Sequence, residues 1–99
     1  MEFVQVIRFT TTKYDEVRAI GEEFVETRRR EGGPKPSSIL FLRDRDEPNS
    51  YRTVVRFASY EEAMENSKRQ DTTSMAGRIA ALCDSQTFGN FDVIGEITP

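Results

Sequence analysis

The side chains able to do chemistry are few, and their spacing limits them further. There is no histidine or tryptophan, and Cys83 is the one cysteine. A thiolate nucleophile works beside a base. With no histidine to serve as that base, and with Cys83 one turn after Ile79 on an apolar stripe, the thiol reads as a packing group. Glu22 with Glu23, and Glu61 with Glu62, are paired carboxylates of the type hard cations favour. Adjacent helical residues point in different directions, however, and such a cation needs several converging oxygens. Both pairs read as solvated helix faces, and no metal site is expected. Arg28, Arg29, Arg30 and Lys35 make a basic knot with the chemistry to touch phosphate or RNA, but its place at a helix C-terminus accounts for it. Gly32 and Gly33 follow that helix instead of preceding one, which disfavours a phosphate cradle.

What remains is a small set of polar residues on an otherwise apolar surface: Gln5, Tyr51 and Thr53 on strands, with Asn66 on a short helix above them. A buried polar group without a partner costs about 1 to 3 kcal/mol, so these side chains either bond to one another in a closed core or line a cavity. Ligand pockets combine apolar walls with a few placed hydrogen-bonding groups. Gln5, Tyr51 and Asn66 are therefore the candidate ligand-binding residues, for a small organic molecule held between helices and sheet. Tyr14 and Tyr60, near helix starts, are placed to close its mouth. Acid or base work would fall to Tyr51, Tyr14 or a carboxylate.

The elements that must position these residues follow from periodicity. Phe3, Ile7 and Phe9 alternate with Val4 and Val6, which predicts a first strand over 3–10 that is apolar on both sides. Thr12 stands three residues before Asp15, a capping-box pattern, and Val17, Ile20, Phe24 and Val25 follow at helical spacing, so the first helix spans 13–30. Residues 39–43 and 51–57 read as a hairpin around the acidic turn 44–50. Ser59 and Glu62 form a second capping box before a short helix over 60–68. Asp71 caps another piece, over 72–83, whose stripe is Met75, Ile79, Leu82 and Cys83. A fourth strand is expected over 88–97, with Phe91, Val93 and Ile97 on one side and Asp92, Ile94 and Glu96 on the other.

The order is β-α-β-β-α-β with the second helix broken in two near Arg69 and Gln70, an α+β ferredoxin-like domain with a four-stranded antiparallel sheet. One domain over 1–99 is expected from the length of 99 residues. One sheet face collects Phe3, Ile7, Phe9, Val55 and Phe57 for the helices, with Phe91, Val93 and Ile97 added from the fourth strand. The other mixes Val4, Val6, Val54 and Ile94 with Arg8, Arg52 and Arg56, paired to Asp92, Glu96 or a partner's acids. A solvated face would not hold those aliphatics together, so a second copy covers it and the protein is a homodimer through the sheet face.

Other partners are disfavoured. The net charge is −3, which gives no whole-molecule attraction to nucleic acid or anionic lipid. The third strand, YRTVVRF, lacks the glycine and aromatic pattern of sheet-based RNA readers. No apolar stretch approaches the ~20 residues of a membrane span, and the N-terminus has no secretory pattern, so a cytoplasmic location is the plain reading.

The two-sided strands, the element order, and the stretch FASYEEAMENS over residues 57–67 resemble the dimeric α+β barrel superfamily, and within it the small antibiotic-biosynthesis-monooxygenase-like domains. The resemblance implies a dimeric α+β barrel and a cofactor-independent, monooxygenase-like enzyme acting on a small aromatic molecule. The competing class is a non-catalytic dimeric binding or structural module. Haem-degrading relatives use an Asn, Trp and His set; without Trp or His that set cannot be transferred. No metal, haem or flavin cofactor is expected.

Overall fold

The computed structural model describes residues 1–99. The elements run β1 (Phe3–Thr10), α1 (Tyr14–Glu31), β2 (Ser38–Arg43), β3 (Ser50–Phe57), α2 (Tyr60–Ser67), α3 (Gln70–Ala80) and β4 (Ser85–Asp92). The strands make one antiparallel sheet in the order β2-β3-β1-β4. This is the expected α+β ferredoxin-like arrangement, with the second helical layer in two pieces.

Register assigns the faces. Phe3, Gln5, Ile7 and Phe9 lie opposite Phe57, Val55, Thr53 and Tyr51 of β3, all toward the helices. Val4, Val6 and Arg8 lie opposite Arg56, Val54 and Arg52 on the other face. Both assignments for β1 and β3 match the alternation in the sequence.

β4 differs from expectation. It starts at Ser85, where Asp84 N–H donates to Thr10 O at 2.8 Å, and ends at Asp92, the partner of Phe3. The pairing stops there because β1 has no residues left to pair, save one bond from Val93 N–H to Glu2 O. Residues 93–97 therefore extend past the sheet, and Ile94 and Ile97 are exposed. The register also reverses the expected faces: Phe91 lies opposite Val4, on the face away from the helices, and Asp92 lies opposite Phe3. Asp92 is thus not a partner for the arginines. Arg56 pairs instead with Glu2 at 2.7 Å and Glu96 at 3.4 Å, while Arg8 and Arg52 stand opposite one another with no ion pair. Gly89 makes room for Phe91, whose Cε2 would be 2.7 Å from a Cβ placed there.

Helix entry is handled unequally. At α2 the Ser59 side chain accepts from Glu62 N–H, as the sequence predicts. At α1 the Thr12/Asp15 box does not form; Lys13 occupies the cap with no side-chain hydrogen bond. Thr11, fully buried, takes over: its Oγ1 accepts from Lys13 N–H at 3.0 Å and donates to Leu82 O at 2.6 Å, tying the start of α1 to the end of α3. α3 begins two residues earlier than expected, with Arg69 at its cap and Asp71 in its first turn.

The close-packed core is small. Phe3, Phe57 and Ala63 form it, with Val55 and Met64 against them. Tyr60 packs edge-on to Phe3 at 5.3 Å, half exposed at the margin of this core, and does not line the space between helices and sheet. Only nine residues are buried, so the helices elsewhere stand over the sheet without filling the space beneath. No helix is long and apolar enough to cross a membrane.

Candidate functional site

That unfilled space is a cavity of about 170 Å³ between the sheet and helices α1, α2 and α3. Ile7, Phe9, Phe24, Val55 and Ile79 give it apolar walls, and Gln5, Thr53, Asn66, Thr72 and Gln86 contribute the polar groups. No acidic, basic, tyrosine or cysteine side chain lines it. Beside it, between α1 and β2, lies an open groove of about 780 Å³; Gly21, Phe24, Pro36, Ile39 and Phe41 border both. Arg18 lies over the Phe41 ring at 4.4 Å on the groove side.

Of the residues singled out from the sequence, Gln5 and Asn66 come together at this cavity, and Tyr51 does not. Tyr51 lies at the sheet end, stacked between Tyr14 at 4.5 Å and Phe9 at 5.5 Å, where it borders a separate shallow groove. Nor do the polar residues satisfy one another. Gln5 Nε2 donates to Asn90 Oδ1 at 3.2 Å. Asn66 turns the other way, to Arg28.

Arg28 departs from the reading of residues 28–30 and Lys35 as one basic knot accounted for by the helix C-terminus. Arg29 pairs with Glu26 on the surface, whereas Arg28 is only 2% exposed. Its Nη2 donates to both carboxylate oxygens of Asp71 at 3.0 and 3.1 Å, and its Nη1 donates to Asn66 Oδ1 at 2.8 Å and to Pro34 O. Its guanidinium also lies 4.7 Å from the centre of the Phe24 ring. Burial alone would raise the Asp71 pKa; hydrogen bonds from Arg28 and Arg69, and their charge, outweigh this and hold it below the usual range. The signal for Arg28 was present in the sequence: Val17, Ile20 and Phe24 continue at helical spacing to position 28, so the arginine falls on the inward stripe. A charge there requires an acid.

The other candidates stand apart from the cavity. Cys83 is half-buried, and burial together with the nearby Asp84 charge raises its pKa, which keeps the thiol protonated and weakly nucleophilic. Glu22 pairs with Arg18 and Glu23 with Arg78, in different directions. No three acidic or cysteine side chains converge in a way that would hold a metal ion.

No family model matches the chain, and no curated protein does. Solved structures do match. SnoaB, a cofactor-independent oxygenase from Streptomyces nogalater, superposes with a TM-score of 0.81 at 20% identity, covering 99% of this chain and 98% of its own. A protein proposed to be an antibiotic biosynthesis monooxygenase, from Caulobacter crescentus, gives a TM-score of 0.77 at 10% identity over 95% of this chain and 91% of its own. Rv0793 from Mycobacterium tuberculosis gives 0.74 at 14% identity over 99% and 100%. The whole chain thus has an antibiotic-biosynthesis-monooxygenase-like fold. That fold is shared by cofactor-independent oxygenases and by proteins of no stated activity.

Proposed function

We infer that the chain, as one domain and as a homodimer joined through its open sheet face, binds a small, largely apolar ring compound between sheet and helices and acts on it as a cofactor-independent, monooxygenase-like enzyme. The cavity carries this reading: apolar walls with a few fixed polar groups are the usual construction of a small-molecule site. Its volume is close to the ~150 Å³ of an apolar cavity that holds benzene. A single ring fits, and a larger compound would extend into the groove that shares its border. SnoaB lends the oxygenase part of the reading, through fold alone.

With no ionisable side chain on its walls, the cavity supplies position and exclusion of water and leaves the electrons to the bound compound. Transfer of one oxygen atom from O₂ requires two electrons to reduce the other to water, so the substrate must be an easily oxidised aromatic that provides both. The same bare wall supports a second reading, a binding module without catalysis. Thermal melts with a panel of one- and two-ring aromatics, followed by oxygen uptake and product mass for those that bind, separate the two. We expect a raised melting temperature, oxygen consumption and a product that has gained one oxygen atom and lost two hydrogens, which leave with the second oxygen as water. Binding without oxygen uptake selects the module; a flat response across the panel removes both readings.

A further inference from the structure

We propose that Arg28 is a positioning residue that fixes which end of the Asn66 amide meets the ligand, and that the cavity thereby selects ring compounds carrying an oxygen acceptor, a carbonyl or a phenolate. The proposal rests on the cavity reading above and adds a selection rule to it.

An asparagine amide is nearly symmetric in shape, and its partners decide its direction. A guanidinium has donors and no acceptor. The Asn66 atom 2.8 Å from Arg28 Nη1 is therefore the oxygen; reversing the amide would bring two donors face to face. Thr72 Oγ1, 3.4 Å from the same oxygen, also donates to it. No group of the chain accepts from Asn66 Nδ2, although Asn66 is only 8% exposed and borders the cavity. Its two N–H bonds are thus free to meet an acceptor, and the nitrogen is reachable from the cavity or solvent, since no fully buried side-chain nitrogen or oxygen lacks a partner. An acceptor placed there replaces water among mostly apolar walls.

Arg28 itself has no freedom to release the amide. Asp71, the Pro34 carbonyl and the Phe24 ring hold it on separate sides. Gln5, the other amide named for this site, imposes no such rule. Its partner Asn90 is also an amide, and the pair bonds equally well with both reversed. Thr53 and Gln86, also on the walls, can each donate or accept. Asn66 is the wall amide whose direction a fixed donor sets, with Arg28 behind it.

Acetophenone and isopropylbenzene are near in shape and differ in the carbonyl, so their affinities for the full-length protein, by calorimetry or ligand-detected NMR, test the rule. Asn66→Asp keeps the shape and the Arg28 contact but turns the donor into an acceptor. The acetophenone-to-isopropylbenzene affinity ratio should fall about five- to tenfold in that variant, the worth of one neutral hydrogen bond, with isopropylbenzene itself little changed. Arg28→Lys keeps the charge but cannot serve Asn66, Asp71 and Pro34 together, and should lower the ratio part-way. In wild type the Asn66 side-chain NH₂ resonances should move with acetophenone and stay with isopropylbenzene, a readout that stands even if a variant fails to fold. An unchanged ratio in Asn66→Asp, or equal NH₂ shifts with both compounds, overturns the rule while leaving the cavity reading intact. Binding of neither compound overturns both.

Discussion

Arg28 carries a full charge at a position where the pattern of α1 asks for an apolar side chain. Runs of like charge near a helix C-terminus usually face water, and two of the three arginines there do. Composition hid the third; only its phase on the Val17, Ile20 and Phe24 stripe distinguishes it. Gln5 and Asn66 were legible because each interrupts an apolar face, but their partners were not, since Asn90 and Arg28 come from distant elements. Removing Arg28 would take a donor from Asp71, Asn66 Oδ1 and Pro34 O, leaving Asp71 to Arg69 and the Thr72 N–H, and Asn66 Oδ1 to the longer bond from Thr72. Arg28→Met should therefore cost about 3 kcal/mol in urea unfolding, the low end for a broken buried pair because the Asp71 side chain is 36% exposed. Asp71 has a lowered pKa in the fold, so its stabilisation is complete above the ordinary carboxylate range and drains away as pH falls through the lowered value. The same variant should lose less stability than wild type over that acid interval. A loss below about 1 kcal/mol at neutral pH would show that the network contributes little.

At the scale of elements, periodicity located every strand and helix, and the ends were set by contacts it does not contain. The alternation over 88–97 is as regular as that over 85–92. What chooses between them is the length of β1, whose eight residues are used up at Asp92. The caps give a sharper case. Thr12/Asp15 and Ser59/Glu62 have the same sequence pattern, yet only Ser59 bonds to its helix. Thr11, one residue earlier, already satisfies Lys13 N–H and reaches Leu82, so Thr12 is left in solvent. Ser59→Ala should then destabilise by about 1 kcal/mol. Thr12→Ala should stay within about 0.5 kcal/mol of wild type, as for an ordinary surface change. Equal losses at the two sites, measured by chemical denaturation, would mean that the Thr12 box forms after all.

For the whole molecule the open question is what covers the second sheet face. Val4, Val6, Val54, Leu40 and Leu42 lie there by register, with Phe91 added by the shift in β4. Leu40 and Phe91 are 56% and 54% exposed in the single chain. A contiguous apolar face of this kind marks an interaction surface. Arg8 and Arg52, side by side with no close ion pair and with Asp44 acting on them only at longer range, would be served by acids from a second copy. Sedimentation should accordingly give about twice 11.4 kDa, and Val54→Asp should dissociate or unfold the protein by placing a lone charge in the contact. Phe91→Asp is the more discriminating change. The sequence pattern put Phe91 under the helices, where an aspartate would unfold the chain. The register puts it on the exposed face of an edge strand, where the same change should leave native circular dichroism and a sedimentation mass near that of one chain. Unfolding of Phe91→Asp would return Phe91 to the helix side, and a wild-type monomer at micromolar concentration would end the case for a covered face.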